Sequence, residues 1–191
     1  MKTTFILHGG MLKLQRESND LFLREFTKNL ENGDEVLFIG FACQDMKERI
    51  SRYERDKSLI LAQSDKNITV TNATLDGLVE QTKRARAIFV TGGNTEALVE
   101  DMLKYPQFRE AVRGKVVAGS SAGAALFSTC YLNKDGMRKG LSFVPVKLVF
   151  HYGNPEFGTT KERLHLLDEC PRGLELLTIE ETKWVVREVG L

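Results

Sequence analysis

The chain alternates short apolar runs with longer segments of helical periodicity. Residues 36–39 and 88–90 are apolar throughout, as is typical of strands buried on both faces of a parallel sheet. Elsewhere apolar residues recur at helical spacing, as Phe22, Phe26 and Leu30 do. This order of strand and helix predicts an α/β fold, a three-layer α/β/α sandwich with a mostly parallel sheet.

Individual elements can be assigned from the same patterns. A first helix is expected to begin with Ser18 or Asn19 as its cap. Two apolar runs near the end, 174–179 and 182–189, predict a hairpin-type pair, so we expect the sheet to be mixed. The other predicted strands cover residues 3–7, 35–41, 67–71, 87–91, 115–118 and 146–150, and the other predicted helices cover residues 45–63 and 74–85.

Composition and charge exclude several classes of function. With 191 residues, of which 42% are hydrophobic, the chain is long enough for one substantial core, and we expect a single domain over residues 1–191. Its 27 basic and 26 acidic residues give a formal charge of +1, without the basic stripe of a nucleic-acid binder. The first apolar run is too short for a signal peptide or a membrane span. We therefore expect a cytoplasmic protein, either monomer or homodimer, that does not bind membranes.

The cysteines give no sign of a structural cross-link. Cys43, Cys130 and Cys170 are widely separated and form no Cys-x-x-Cys pair. This spacing favours buried thiols over a disulfide framework or a zinc site, and we predict no metal.

Three glycine-containing motifs follow predicted strands. They are His8-Gly9-Gly10, Gly92-Gly93-Asn94 and the segment from Gly119 to Gly123. Ligands of open parallel sheets bind beyond the carboxyl ends of the strands. The three motifs should therefore meet at one edge, where the site is expected.

The segment from Gly119 to Gly123 has the Gly-x-Ser-x-Gly spacing of a nucleophile elbow, in which a strained turn presents a serine at the top of a sheet. The spacing selects Ser121 over its neighbour Ser120, because only Ser121 has glycine two residues before and two after. The glycines at 92 and 93 would let a backbone N–H approach an oxyanion, with the N–H of Ala122 as the second donor, although a Gly-Gly-Asn sequence is also typical of an ordinary turn.

A serine hydroxyl needs a base to take its proton. Three histidines are available, and His151 is favoured because it ends an apolar run and precedes a turn-rich segment. His8 also ends a strand and is the main competitor. His165 lies in a helical stretch and is interpreted as an ordinary surface residue.

A carboxylate should hold the imidazole in its productive tautomer. Asp135 lies between the serine and the histidine, in an Asp-Gly sequence that is also typical of a hairpin turn. Glu156, Glu180 and Glu181 are the other possible orienting residues.

Together these motifs resemble peptidase family S51, which includes aspartyl dipeptidase (dipeptidase E) and cyanophycinase and has a fold like that of class I glutamine amidotransferases. The resemblance spans nearly the whole chain. It rests on three ordered motifs: Gly92-Gly93-Asn94-Thr95, Gly119 to Ala124, and Gly140 through Pro145 to His151-Tyr152.

The resemblance implies Ser121 as nucleophile, His151 as base, an oxyanion hole at Gly93 and Ala122, and no cofactor. It implies an Asp a little over a dozen residues past the serine, close to Asp135. Substrate contacts are expected from the other two candidate residues, Asn94 and Lys161. Dipeptidases of the family use an arginine after the histidine loop to hold an acidic N-terminal residue, and Lys161 stands near that place instead, so paired recognition of a carboxylate is not expected.

We predict a serine-type peptidase that hydrolyses a small, dipeptide-like substrate through an acyl-enzyme on Ser121. An esterase or amidase with the same triad is one alternative. A non-catalytic protein that binds a metabolite is another. An amidotransferase is less favoured, because those relatives of the fold use a cysteine, and no cysteine occupies the elbow.

Overall fold

In the computed structural model, which describes residues 2–191, a six-stranded sheet forms the middle layer. Its strand order is β10-β1-β5-β4-β2-β3. Five of these strands are parallel, and β10 is antiparallel to β1 at the edge. The strands are β1 (Lys2–His8), β2 (Glu35–Ile39), β3 (Thr69–Asn72), β4 (Ala87–Val90), β5 (Val116–Ser120) and β10 (Trp184–Gly190).

A second sheet of four strands, in the order β7-β6-β8-β9, shares an apolar core with the first. Strands β6, β8 and β9 are parallel to one another, and β7 is antiparallel to β6. The four strands are β6 (Ser128–Asn133), β7 (Gly136–Lys139), β8 (Val144–Phe150) and β9 (Glu175–Ile179). The α/β class and the mixed, mostly parallel strands agree with the sequence prediction.

Helices cover both faces of the main sheet. Alternate strand residues point to opposite faces, so Ile6 packs beside Phe22 and Ile60 while Phe5 and Leu7 belong to the core on the other side. Helices α1 and α2 cover the first face, and α3 to α6 cover the second. The helices are α1 (Glu17–Thr27), α2 (Met46–Ala62), α3 (Leu78–Arg84), α4 (Thr95–Leu103), α5 (Phe108–Ala111) and α6 (Ala122–Phe127). None of those within residues 2–191 is long and apolar enough to cross a membrane.

Two local predictions were wrong. The first helix begins at Glu17, and Asn19 lies inside it, where its buried amide donates to the backbone oxygens of Met11, Leu12 and Leu14 instead of capping the helix. The two C-terminal strands do not form a hairpin, because β9 pairs with β8 and β10 pairs with β1. The turn between them therefore carries the chain from one sheet to the other.

The cysteine prediction was also wrong for two of the three residues. Cys130 on β6 and Cys170, which follows a 3-10 segment at Lys161–Glu169, are paired as a disulfide. Both lie in a small apolar cluster with Leu132, Val149 and Leu167. Forty residues separate the two cysteines, so no local spacing signalled the pair. Cys43 is a buried free thiol, as predicted.

Close packing of backbone around the elbow explains its glycines. A Cβ added at Gly119 would overlap the backbone of Gly123, and one added at Gly123 would overlap the carbonyl oxygen of Val90 on β4. These contacts are between backbone atoms, which cannot move aside as a flexible side chain can. The two glycines thus let α6 start directly at the end of β5, beside β4.

We expect Gly123→Ala to lower the free energy of unfolding by about 2 kcal/mol or more, since overpacking against a rigid strand forces backbone shifts. Gly190→Ala is the control, because a Cβ there meets nothing within 4 Å. It should stay within about 0.5 kcal/mol of wild type. Urea denaturation measures both. Equal stabilities for the two variants would contradict the close approach at Gly123.

Candidate active site

Ser121 lies at the turn between β5 and α6, in a backbone conformation that is rare for a residue with a side chain. Its φ is 54° and its ψ is −112°. Such strain persists only where surrounding structure imposes it, and it often marks a functional residue. The side chain is partly exposed, so the hydroxyl is accessible at the strand end.

His151 follows β8 and faces this serine. Its Nε2 atom lies 3.0 Å from Ser121 Oγ. Its own φ is 51°, again in the left-handed region, and the ring is buried. Phe157, in a 3-10 turn at Pro155–Phe157, stacks on the imidazole with ring centroids 3.8 Å apart and an interplanar angle of 5°. The ring is therefore held on one face by an aromatic neighbour as well as by its hydrogen bonds.

Glu181 completes the arrangement from the loop between β9 and β10. Its Oε1 atom lies 2.9 Å from His151 Nδ1 and accepts a second hydrogen bond, at 2.8 Å, from Asn154 Nδ2. Asn154 is fixed in turn, because its own Oδ1 accepts from the Glu156 backbone N–H. The carboxylate is thus held in place by two donors.

The surroundings adjust the charge states of this pair. Burial lowers the pKa of His151, and the hydrogen bond and charge of Glu181 oppose that effect only in part. Partial burial opposes ionisation of Glu181, but the hydrogen bonds from Asn154 and His151 outweigh it, and the pKa of Glu181 is lowered. An ionised Glu181 can only accept, so the imidazole proton sits on Nδ1 and leaves Nε2 to accept from Ser121.

The His8-Gly9-Gly10 segment holds the three parts of the site together through its backbone. The His8 carbonyl accepts from the N–H of Ser121, and the Gly9 carbonyl accepts from that of His151, each at 2.9 Å. The Gly10 carbonyl accepts from the N–H of Thr182, which directly follows Glu181, also at 2.9 Å. A side chain at Gly10 would run into the His151 ring, which explains the glycine there.

The His8 side chain serves this loop and does not face Ser121. It is fully buried, with Nδ1 at 3.0 Å from Ser120 Oγ and Nε2 at 2.9 Å from Asn19 Oδ1. Burial lowers the pKa of His8 to about 4, so it is neutral at pH 7. The structure therefore pairs Ser120 with His8, and Ser121 with His151.

The structure contradicts the prediction that Asp135 orients the histidine. Residues 133 and 136 pair across the two-residue turn between β6 and β7, and Asp135 is exposed at its tip. The Asp135-Gly136 sequence therefore marks a β-hairpin turn. Glu181 occupies the position beside His151 Nδ1, while Glu156 and Glu180 are exposed.

The structure also describes the other predicted site residues, Gly93, Ala122, Asn94 and Lys161. The backbone N–H groups of Gly93 and Ala122 donate to no acceptor within residues 2–191. They are therefore free to donate to an oxyanion. Asn94 caps α4, with Oδ1 accepting from the Ala97 N–H, and its exposed amide nitrogen makes no hydrogen bond within residues 2–191. Lys161 is exposed at the start of its 3-10 segment. Across residues 2–191, no three His, Cys, Asp or Glu side chains gather to hold a metal ion.

Comparison with known proteins assigns the chain to a family. The sequence model of peptidase family S51 matches residues 5–189. The chain belongs to peptidase family S51. As an S51 protein it is a hydrolase of the peptidase class. No curated protein sequence matches it.

Two solved structures share the fold of this protein. A candidate peptidase E protein from Listeria monocytogenes EGD-e matches with a TM-score of 0.68 and 17% sequence identity, covering 100% of both chains. A peptidase from an acI-B1 Actinobacterium matches with a TM-score of 0.68 and 21% identity, covering 98% of this chain and 84% of the other. At these identities the likeness establishes the fold.

Sequence patterns missed two residues of the site. Asn154 lies in a Gly-Asn-Pro sequence that predicts a turn, but its contact with Glu181 joins residues 27 positions apart. Phe157 stands in a turn, without any apolar periodicity to mark it. Neither contact could be found before the two loops were placed in space.

We expect Glu181→Gln to slow the labelling of Ser121 by a fluorophosphonate probe by about a hundredfold or more, because an amide can stabilise the wrong histidine tautomer. Asp135→Asn is the matched control and should label at nearly the wild-type rate. Mass spectrometry of the modified peptide over time gives both rates. A large loss in Asp135→Asn with none in Glu181→Gln would reverse the assignment.

Proposed function

We propose that the protein is a serine-type peptidase that hydrolyses small peptide substrates through an acyl-enzyme on Ser121. The observation that carries the proposal is the continuous chain of contacts from Ser121 Oγ to His151 Nε2 and from His151 Nδ1 to Glu181 Oε1, at 3.0 and 2.9 Å. A nucleophile, a base and an orienting carboxylate in this order are the requirements of acyl transfer.

In the first half-reaction, Ser121 Oγ attacks the carbonyl carbon of the scissile amide while His151 Nε2 takes its proton. Glu181 stabilises the resulting imidazolium through Nδ1–H. The tetrahedral intermediate then collapses, His151 gives the proton to the leaving amine, and an ester joins the acyl group to Ser121. Phe157 stacks on the imidazole and helps keep the ring aligned through both proton transfers.

In the second half-reaction, water replaces the amine. His151 Nε2 takes a proton from the water, whose oxygen attacks the acyl carbon. Collapse releases the carboxylic acid and returns the proton to Ser121 Oγ. In both halves the negative charge on the carbonyl oxygen needs hydrogen-bond donors. The N–H groups of Gly93 and Ala122, which have no acceptor in the described part of the chain, support their assignment to this role.

The substrate is best described as a dipeptide or a short peptide. Lys161 is proposed as a contact for a substrate carboxylate, since its exposed ammonium offers a point charge without the paired geometry of arginine. A panel of dipeptides with acidic, neutral and basic N-terminal residues, assayed beside simple esters, tests this choice. Turnover of esters alone would favour an esterase, and a protein that neither turns over substrates nor reacts with a fluorophosphonate would contradict an enzyme.

We expect Ser121→Ala to abolish both dipeptide turnover and fluorophosphonate labelling, because no other hydroxyl among residues 2–191 contacts His151 Nε2. Ser120→Ala loses only the hydrogen bond to His8 and should keep much of its activity. Peptide mapping of the labelled wild type identifies the modified residue. An adduct on Ser120, or turnover retained by Ser121→Ala, would contradict the proposal.

The rate should rise with pH, because only neutral His151 can accept the serine proton. Since burial lowers the pKa of His151 below the ordinary value of 6.5, the acid limb of kcat/KM should have its midpoint below that pH. Glu181 raises this pKa, so Glu181→Gln should move the midpoint to still lower pH while reducing the maximal rate. A midpoint above 6.5 in the wild type would contradict this reasoning.

A further inference from the structure

We propose that Arg52, on α2, is a positioning residue for the oxyanion hole. Its Nη1 atom donates to the carbonyl oxygen of Gly92 at 2.8 Å, across 40 residues of sequence. Gly92 directly precedes Gly93, whose N–H is one of the two proposed oxyanion donors. The inference rests on the proposed function, because the oxyanion hole matters only for acyl transfer.

The planarity of the peptide group links the two atoms. The Gly92 carbonyl and the Gly93 N–H belong to one peptide, which is trans because the described residues contain no cis bond. In a trans peptide the C=O and N–H point in opposite directions. When Arg52 draws the carbonyl towards α2, it therefore turns the Gly93 N–H away from α2, where it meets no acceptor within residues 2–191.

Glycine at both positions makes this peptide hard to fix by other means. Gly93 has a φ of 147°, and a Cβ there would overlap the carbonyl of Ala42. A Cβ at Gly92 would lie 3.1 Å from Ser121 Cβ, so the loop passes directly beside the nucleophile. Glycine permits the close approach but also leaves the peptide free to rotate. An external hydrogen bond is needed to select one orientation.

Arg52 is itself held in place for this task. Its Nε and Nη2 atoms both donate to Glu48 Oε1, one turn earlier on α2, which leaves Nη1 for Gly92. The rigid guanidinium can serve both partners at once, whereas a lysine ammonium lacks the fixed fork. One turn later on α2, the buried carboxylate of Asp56 accepts from Thr91 Oγ1 at 2.7 Å. Helix α2 thus binds two successive residues of the loop.

The test compares Arg52→Met with Arg52→Lys and with Lys47→Met, which removes the same charge from an exposed site on the same helix. For each variant, kcat and KM are measured with a dipeptide substrate, together with the inhibition constant of a peptide aldehyde. The aldehyde carbon bonds to Ser121 Oγ and its oxygen becomes the oxyanion, so its affinity reports the hole directly.

We expect Arg52→Met to lower kcat by about tenfold or more and to weaken binding of the aldehyde by a similar factor. Complete loss of one oxyanion donor lowers kcat by about a hundredfold or more, and this variant only releases the peptide that carries the donor. KM should change by less than about threefold, and the acid limb of the pH profile should keep its midpoint, because the triad is untouched. Arg52→Lys should recover part of the loss. Lys47→Met should behave like wild type.

The inference would be overturned if Arg52→Met had the same kcat and aldehyde affinity as Lys47→Met. A shift in the midpoint of the acid limb would also overturn it, because the effect would then lie in the catalytic triad. If Arg52→Met does not fold, Glu48→Gln replaces it, because this substitution weakens the hydrogen bonds that hold the same guanidinium. It should lower kcat and aldehyde affinity in the same direction but by a smaller factor, and no decrease in either would overturn the inference. A wild type that neither turns over peptides nor reacts with a fluorophosphonate would instead contradict the proposed function.

Discussion

Three consecutive backbone carbonyls at the end of β1 are the constraint on which the site depends. The carbonyls of His8, Gly9 and Gly10 accept, in that order, from the N–H groups of Ser121, His151 and Thr182. The proposed nucleophile, the proposed base and the neighbour of the proposed acid come from three distant parts of the chain. They are hydrogen-bonded to three successive residues of one short segment. Such hydrogen bonds are obligatory for buried backbone, so the three loops are held in register.

Buried side chains also hold the His8-Gly9-Gly10 segment in place. His8 is buried between Ser120 and Asn19, and Asn19 donates to the three backbone oxygens of the following loop. A charged imidazole would be costly there, and its low pKa keeps it neutral in the range where the proposed base must work. His8 therefore has a structural role, and His151, whose Nε2 lies 3.0 Å from Ser121 Oγ, is left as the proposed base.

Much of this could be read from the sequence because the informative signals are local. The Gly-x-Ser-x-Gly spacing selected Ser121 as the candidate nucleophile, and the end of an apolar run selected His151 as the candidate base, since each pattern depends on only a few neighbouring residues. The structure brings these two side chains within 3.0 Å of each other. Glu181 could not be chosen over Asp135 in this way. Glu181 lies in the turn that joins β9 in one sheet to β10 in the other, and this turn reaches His151. The hairpin predicted from the sequence does not include such a crossing between sheets. Arg52 and Asn154 likewise act across 40 and 27 residues.

The central claim is that Glu181 fixes the tautomer of His151 so that Nε2 can accept the serine proton. Nitrogen-15 NMR of the histidine-labelled protein above the pKa of His151 tests it most directly. The account predicts that His151 carries its proton on Nδ1, with a downfield proton resonance that disappears in Glu181→Gln. A neutral His151 protonated on Nε2, unchanged by that substitution, would contradict it.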